Sequence, residues 1–393
     1  MSELKSKKFL LSFVAFILLN ATLYLFILIF NNKVSFNKFN YYYNAHHYIQ
    51  DTRIAEKRFN ILNALAQYDA QWYLKISNEG YPKNPKIATL NDRRMDGVTY
   101  NFLPLYPALI YVANLFFRNI ELSAFIVSNV FLLVAFTSLY YAVTKIFSEN
   151  IAIKTVFLLF LFPFAIFYRS YYTVGVFLFL LVWFLYFLLK RKFFLSALFL
   201  SLLSLSWGMS IFLNMYFLYI LFLEVKNKKL SFSKAAILGI LLSIPWIGWV
   251  YFNYLQTGNP LYFYLMRQQW FNAAFPETLF HNIQAVLNFG SQAFHSFHSS
   301  KIDIAMIIAV AFLLFKSRNK LPKELWFVSV ILGITPLLIQ DTISYSRLQI
   351  VSFPFFIYLS QVLNGLSYKI LLALFIVGLF IISLFFINWY WVG

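Results

Sequence analysis

Long, nearly uncharged apolar runs constrain this chain more than any other feature. Phe9 to Phe30, Leu122 to Tyr141, Thr155 to Phe167, Thr173 to Leu189 and Ile370 to Ile387 carry almost no charge. Most approach the roughly 20 residues that a helix needs to cross a bilayer. Only 12% of the residues are charged and the mean hydropathy is +0.70, so water is not the main solvent of the chain. The expected fold is all-α and polytopic, a single membrane domain over residues 1–393. The first run is too long for a signal-peptide core and lacks a small-residue cleavage site, so it is expected to stay as the first helix.

The net charge of +18 sits mostly in short loops between the apolar runs. That distribution fits retention beside membrane lipids and provides no basic face of the kind that reads nucleic acid. The chain has no cysteine, which removes disulfides, thiolate nucleophiles and Cys-ligated metals from consideration.

Topology turns on Phe102 to Phe117, an apolar stretch of about 16 residues holding Pro104 and Pro107. If it crosses, the clusters Lys190-Arg191-Lys192, Lys226/Lys228/Lys229 and Lys316/Arg318/Lys320 lie opposite the N-terminal Lys5, Lys7 and Lys8. If it is a membrane-embedded elbow, all four clusters share the cytoplasmic side, as the positive-inside rule favours. The elbow gives about eleven spans and a cytoplasmic N-terminus. Two polar segments, 31–120 and 253–301, are then extracytoplasmic, and the first carries amphipathic interfacial helices. Helices are expected near 9–30, 121–143, 152–167, 173–189, two within 193–223, 232–251, 303–316, 325–340, 348–363 and 369–388. Tyr168 to Tyr172 is expected as a short outer loop.

Six of the 14 carboxylates, Asp51, Glu56, Asp69, Glu79, Asp92 and Asp96, fall in the first outer segment. Glu277, Asp303 and Asp341 lie near other outer edges, and the helix interiors hold almost no ionisable group. Polar chemistry gathered at one interface suits an enzyme acting on a lipid-linked substrate. A coupled transporter more often places charge or broken helices at the midplane.

Within Asp69-Ala70-Gln71-Trp72-Tyr73-Leu74-Lys75-Ile76, Trp72, Tyr73 and Ile76 share a helical face, and Gly80-Tyr81-Pro82 ends the helix. Asp69 reads either as the N-cap of an amphipathic helix or as a general base at the membrane surface. That stretch, with Gly80-Tyr81 and Asn101-Phe102-Leu103-Pro104-Leu105-Tyr106-Pro107, resembles the PIG-V-type mannosyltransferases, which add the second mannose in GPI-anchor synthesis. The resemblance continues through Gly258-Asn259-Pro260-Leu261-Tyr262-Phe263, Gln269-Trp270, Arg347 and Phe353-Pro354. It implies a GT-C glycosyltransferase fold, a polyprenyl-phosphate sugar donor and a catalytic Asp in the first outer loop, at Asp69. The acceptor would be an extracytoplasmic or lumenal glycan or lipid, and the location the plasma membrane or endoplasmic reticulum. Three positions depart from the family: Tyr68 replaces a Trp, Val174 replaces a Glu, and an expected Arg is missing near Ser206-Trp207-Gly208. The acceptor and the sugar therefore stay open.

Inverting transfer from a phosphate-linked sugar needs a base for the acceptor hydroxyl and cations for the departing phosphate. Asp69 suits the first role. Arg347 and Arg267 suit the second, although Arg347 could equally snorkel beside Asp341 and Arg267 could be an ordinary loop cation. Trp72 and Tyr73 are expected at the interface against a prenyl chain, with Tyr106 on the elbow that closes the cavity and Gln269 and Trp270 as further substrate contacts. Arg169 reads as structural. His295 and His298 have helical ligand spacing but no companion carboxylate or Cys, so no metal site and no cofactor are expected. His46-His47 reads as interfacial, Asp92 and Asp96 as solvated, and Gly258-Asn259-Pro260 as a turn. Two other readings remain: a lipid or solute transporter, and a non-catalytic relative.

Overall fold

The computed structural model describes residues 6–44, 48–85, 96–271, 277–287, 300–339, 342 and 344–392. Among the described residues nineteen α-helices follow one another: α1 (Lys7–Phe30), α2 (Lys38–Asn44), α3 (Thr52–Ala55), α4 (Ile61–Ala64), α5 (Asp69–Glu79), α6 (Leu105–Phe117), α7 (Ile120–Ile146), α8 (Glu149–Phe160), α9 (Val174–Leu189), α10 (Phe193–Leu203), α11 (Ser210–Lys226), α12 (Phe232–Thr257), α13 (Tyr262–Phe271), α14 (Glu277–Leu287), α15 (Ser300–Ser317), α16 (Lys323–Ile339), α17 (Tyr345–Leu348), α18 (Phe353–Val362) and α19 (Gly365–Ile387). No strand occurs among the described residues. Four of these helices, α1, α7, α12 and α19, are long and apolar enough to cross a membrane. The protein is an all-helical membrane protein.

Local chemistry sets several boundaries. The side chains of Ser6, Asn119 and Ser148 each accept a backbone N–H at the start of α1, α7 and α8. Gly258, at φ 72°, ends α12 in the left-handed conformation that glycine adopts without a Cβ penalty.

Contacts between the helix ends place the basic clusters together. Lys8 pairs with Glu149 at 3.9 Å, and Glu149 also accepts from Ser6 and Tyr140. The neighbouring Tyr141 ring meets Trp183 and Tyr186 near the end of α9. Just beyond α9, Arg191 pairs with Glu224 of α11 at 3.3 Å and Glu324 of α16 at 3.0 Å. At the opposite end, Asn388 after α19 donates to the carbonyl of Asn31 after α1. The four basic loops therefore share one end of the bundle, the arrangement that the elbow requires. α6 itself is 13 residues long, about 20 Å, against a hydrocarbon core of about 30 Å.

Two expectations fail for the same reason. The helix expected over 152–167 stops at Phe160, and the one expected over 348–363 is broken before Phe353. Pro163 and Pro354 stand at these breaks, where the missing N–H and the restricted preceding residue oppose continuation. Gly378 makes room for the first break, since a Cβ there would lie 2.9 Å from Pro163 Cγ. Residues Tyr168 to Tyr172 are not an exposed loop: all five are at most 6% exposed. With only 12 residues in α8, the α8–α9 turn ends up inside the protein.

Arg169 sits in this turn, fully buried, and is an exception to the uncharged interior. Its Nε donates to Asn20 Oδ1 at 2.7 Å, and its Nη atoms donate to the carbonyls of Ala165 and Phe160. It thus satisfies carbonyls freed where the helix breaks, which makes it a structural support. Asn20→Leu would strand a buried charged donor. It is expected to destabilise the protein by about 1.5–3 kcal/mol, seen as a lower unfolding temperature in detergent. An unchanged temperature would remove this role for Arg169.

Candidate functional site

Asp69 occupies the first helical position of α5, not the cap. The cap position belongs to Tyr68, and no side chain caps the helix. The N-cap reading of Asp69 is therefore corrected. Tyr68 adopts φ 53°, ψ −123°, a backbone region that costs a bulky side chain energy. Its ring is held by Phe386, Trp389 and Trp391, with centroids 6.4, 5.2 and 4.7 Å away. This strained residue turns the chain into α5 and leaves the Asp69 carboxylate free of capping duty.

The carboxylate meets Arg347, 278 positions away, with Nη1 to Oδ2 at 3.5 Å. That is long for an ion pair, and both side chains keep some exposure, 20% for Asp69 and 14% for Arg347. The Arg347 guanidinium lies over three rings, 5.1 Å from the Phe167 centroid, 5.6 Å from Tyr172 and 5.1 Å from Trp391. Planar, weakly hydrated guanidinium suits such a cage, and the rings fix its position. Arg347 thus pairs with Asp69; Asp341, its other expected partner, lies outside the described residues.

Arg267, on α13, is close enough to act electrostatically on the same carboxylate. Burial pushes the Asp69 pKa above the ordinary 3.8, although the charges of Arg347 and Arg267 pull it down. Burial also lowers the Arg267 pKa to about 10, with Asp69 opposing that shift.

The floor of the site is the buried α8–α9 turn. Tyr172 donates its hydroxyl to the Gln67 carbonyl at 3.1 Å, and Tyr171 donates to Leu62 at 2.7 Å. Trp72 and Tyr73 belong to this interior, not to a lipid-facing surface, being 2% and 7% exposed. Tyr73 packs against Phe102, Tyr106 and Tyr172. Tyr106 is fully buried and shares a 2.6 Å hydrogen bond with Ser128, which wedges α6 onto α7. The expectation that Trp72 and Tyr73 face a prenyl chain is corrected on this burial. Gln269 and Trp270 lie on α13, but their side chains are outside the described residues, as are His46, His47, Asp92, His295 and His298.

The remaining motif segments gather here too. Tyr81 donates to the Phe102 carbonyl at 2.6 Å, and Tyr100 packs on Tyr262 at 5.1 Å. A Cβ at Gly97 would run into the Tyr262 hydroxyl, so any larger residue in the turn of residues 96–101 would have to displace that side chain of α13. Asp96 pairs with Lys75 at 2.8 Å and stays 55% exposed, as a solvated carboxylate does. The segment after α19 closes the site: Trp389 donates to Asp51 at 2.7 Å, while Arg53 bridges Asp51 and Asn388. Phe167 and Trp391 carry no sequence signal as site residues, and Tyr68 is marked only as the position where the resembling family has a Trp.

Among the described residues, no group of three or more His, Asp or Glu side chains could hold a metal ion. No family model matches the sequence, and no curated protein matches it. The site consists of one partly buried carboxylate, two arginines that act on it and an aromatic floor.

Proposed function

We propose that the protein is a GT-C-type glycosyltransferase that moves a sugar, mannose by its resemblance to the PIG-V-type family, from a polyprenyl-phosphate donor to an extracytoplasmic glycan or lipid acceptor. One observation carries the reading: Arg347 and Arg267, drawn from two distant segments, both act on the Asp69 carboxylate, Arg347 at 3.5 Å and Arg267 through its charge. A base and two phosphate-binding cations are the groups that inverting transfer requires. The ordered motifs that resemble the PIG-V-type family supply the sugar class.

In this mechanism Asp69 takes the proton of the acceptor hydroxyl. The acceptor oxygen attacks the anomeric carbon, and the carbon–oxygen bond to the phosphate breaks. Polyprenyl phosphate departs with its negative charge held by Arg347 and Arg267. The single 3.5 Å contact to Asp69 uses only Nη1 of Arg347, so other guanidinium N–H groups can donate to a phosphate. The buried Arg169 would be the starting point for a transporter reading. Its bonds to Asn20 and two carbonyls make it a fixed support instead.

The accompanying topology has about eleven spans, a cytoplasmic N-terminus and the site on the extracytoplasmic side. In this Cys-free chain, Asn84→Cys should react with an impermeant thiol reagent added outside cells, and Lys192→Cys should resist it. The reverse pattern would overturn the topology. For the activity, membranes containing the protein should transfer radiolabelled mannose from polyprenyl-phosphate mannose into extractable glycolipid or glycan. Absence of product with any polyprenyl-phosphate sugar would sink the enzymatic reading.

A further inference from the structure

We infer that Asp303 is a positioning residue for Arg347, acting through the backbone of the turn that carries it; this rests on the functional reading above. Asp303 lies in the first turn of α15 and is fully buried. A carboxylate taken wholly out of water is costly unless its bonds compensate. Its Oδ1 accepts the backbone N–H of Ser346, also fully buried, at 2.7 Å, a length typical of a charge-assisted bond. Ser346 immediately precedes Arg347.

The turn needs such anchors. α17 has four residues, too few for a helix to hold itself. It starts from Ser344 at φ 74°, a left-handed conformation unfavourable for a residue with a Cβ. Tyr345 donates its hydroxyl to the Gly333 carbonyl of α16 at 2.8 Å, and Tyr168 donates to the Ile350 carbonyl at 2.5 Å. These bonds tie the turn to α15, α16 and the α8–α9 turn. Asp303 supplies the charged one, next to the arginine. Loss of that bond lets α17 shift, and a misplacement of about 1 Å at a catalytic group can cost about 100-fold.

The test uses the purified full chain in detergent and farnesyl phosphate as the probe, with the dissociation constant read by calorimetry. Asp303→Ala and Asp303→Leu, the latter filling the volume in case the former does not fold, should each weaken binding by about 10- to 100-fold. Asp303→Asn keeps an accepting oxygen and should restore most of the affinity. In an Arg347→Ala background, Asp303→Ala should add less than about twofold, because its effect runs through the missing arginine. Additive losses, a folded Asp303→Leu protein that binds normally, or Asp303→Asn as weak as Asp303→Leu would overturn the positioning role. Failure of the unmodified protein to bind farnesyl phosphate would instead overturn the functional reading, and the inference with it.

Discussion

Asp69→Asn is expected to lower sugar transfer by about 100- to 10,000-fold, the usual cost of removing a general base. The protein should remain folded. Asp69 has a folded pKa raised above 3.8, chiefly by burial, so the folded state holds its proton more tightly than the unfolded chain does. Stability then falls as pH rises through the window from 3.8 up to that raised value, and the ionised carboxylate costs the fold free energy at neutral pH. Asparagine removes that cost, so the variant's unfolding temperature should be equal to or above that of the unmodified protein. Activity should show the complementary sign. Transfer needs the ionised carboxylate, so the acid limb of the pH–rate profile should lie above pH 3.8. Arg347→Ala removes an attraction that favours ionisation, so the limb should move further up. A limb at or below 3.8 would contradict the environment assigned to Asp69.

The second large effect is expected at Arg347. Arg347→Ala should reduce transfer by about 100- to 1,000-fold, as does loss of one fixed charge-stabilising donor elsewhere. Arg347→Lys should recover only part of this. An ammonium keeps the charge but cannot fork onto a phosphate, and it fits poorly between the rings of Phe167, Tyr172 and Trp391. Initial rates at varied donor concentration check the point. Full recovery with lysine would reduce Arg347 to a simple counter-charge for Asp69.

Some of this architecture can be read directly from residues. The apolar runs, the short α6 and the shared end of the basic loops follow from hydropathy and charge, because lipid leaves the chain few alternatives. Asp69 and Arg347 stand out only through the motifs that resemble the PIG-V-type family, and Arg267 through its place beside Gln269-Trp270. The lining does not stand out. With 22% aromatic residues, nothing in the sequence distinguishes Phe167 or Trp391 from any other ring. The interior placement of Trp72, Tyr73 and Tyr106 was hidden for a related reason: an apolar face suits lipid and protein equally, so periodicity cannot separate them. The buried α8–α9 turn depends on where Pro163 meets Gly378, a contact across 215 positions of sequence. Asp303 looks like an ordinary acidic residue of a first helical turn until its partner, the Ser346 N–H, is seen.

The most direct measurement sets the purified protein beside its Asp69→Asn variant, with polyprenyl-phosphate mannose and a mixture of membrane glycolipids. Release of polyprenyl phosphate and loss of labelled donor are followed together with donor affinity. The account predicts turnover by the unmodified protein, with donor bound at comparable affinity but almost no release by the variant. Equal turnover by two folded proteins, or release by neither while both bind the donor, would contradict it.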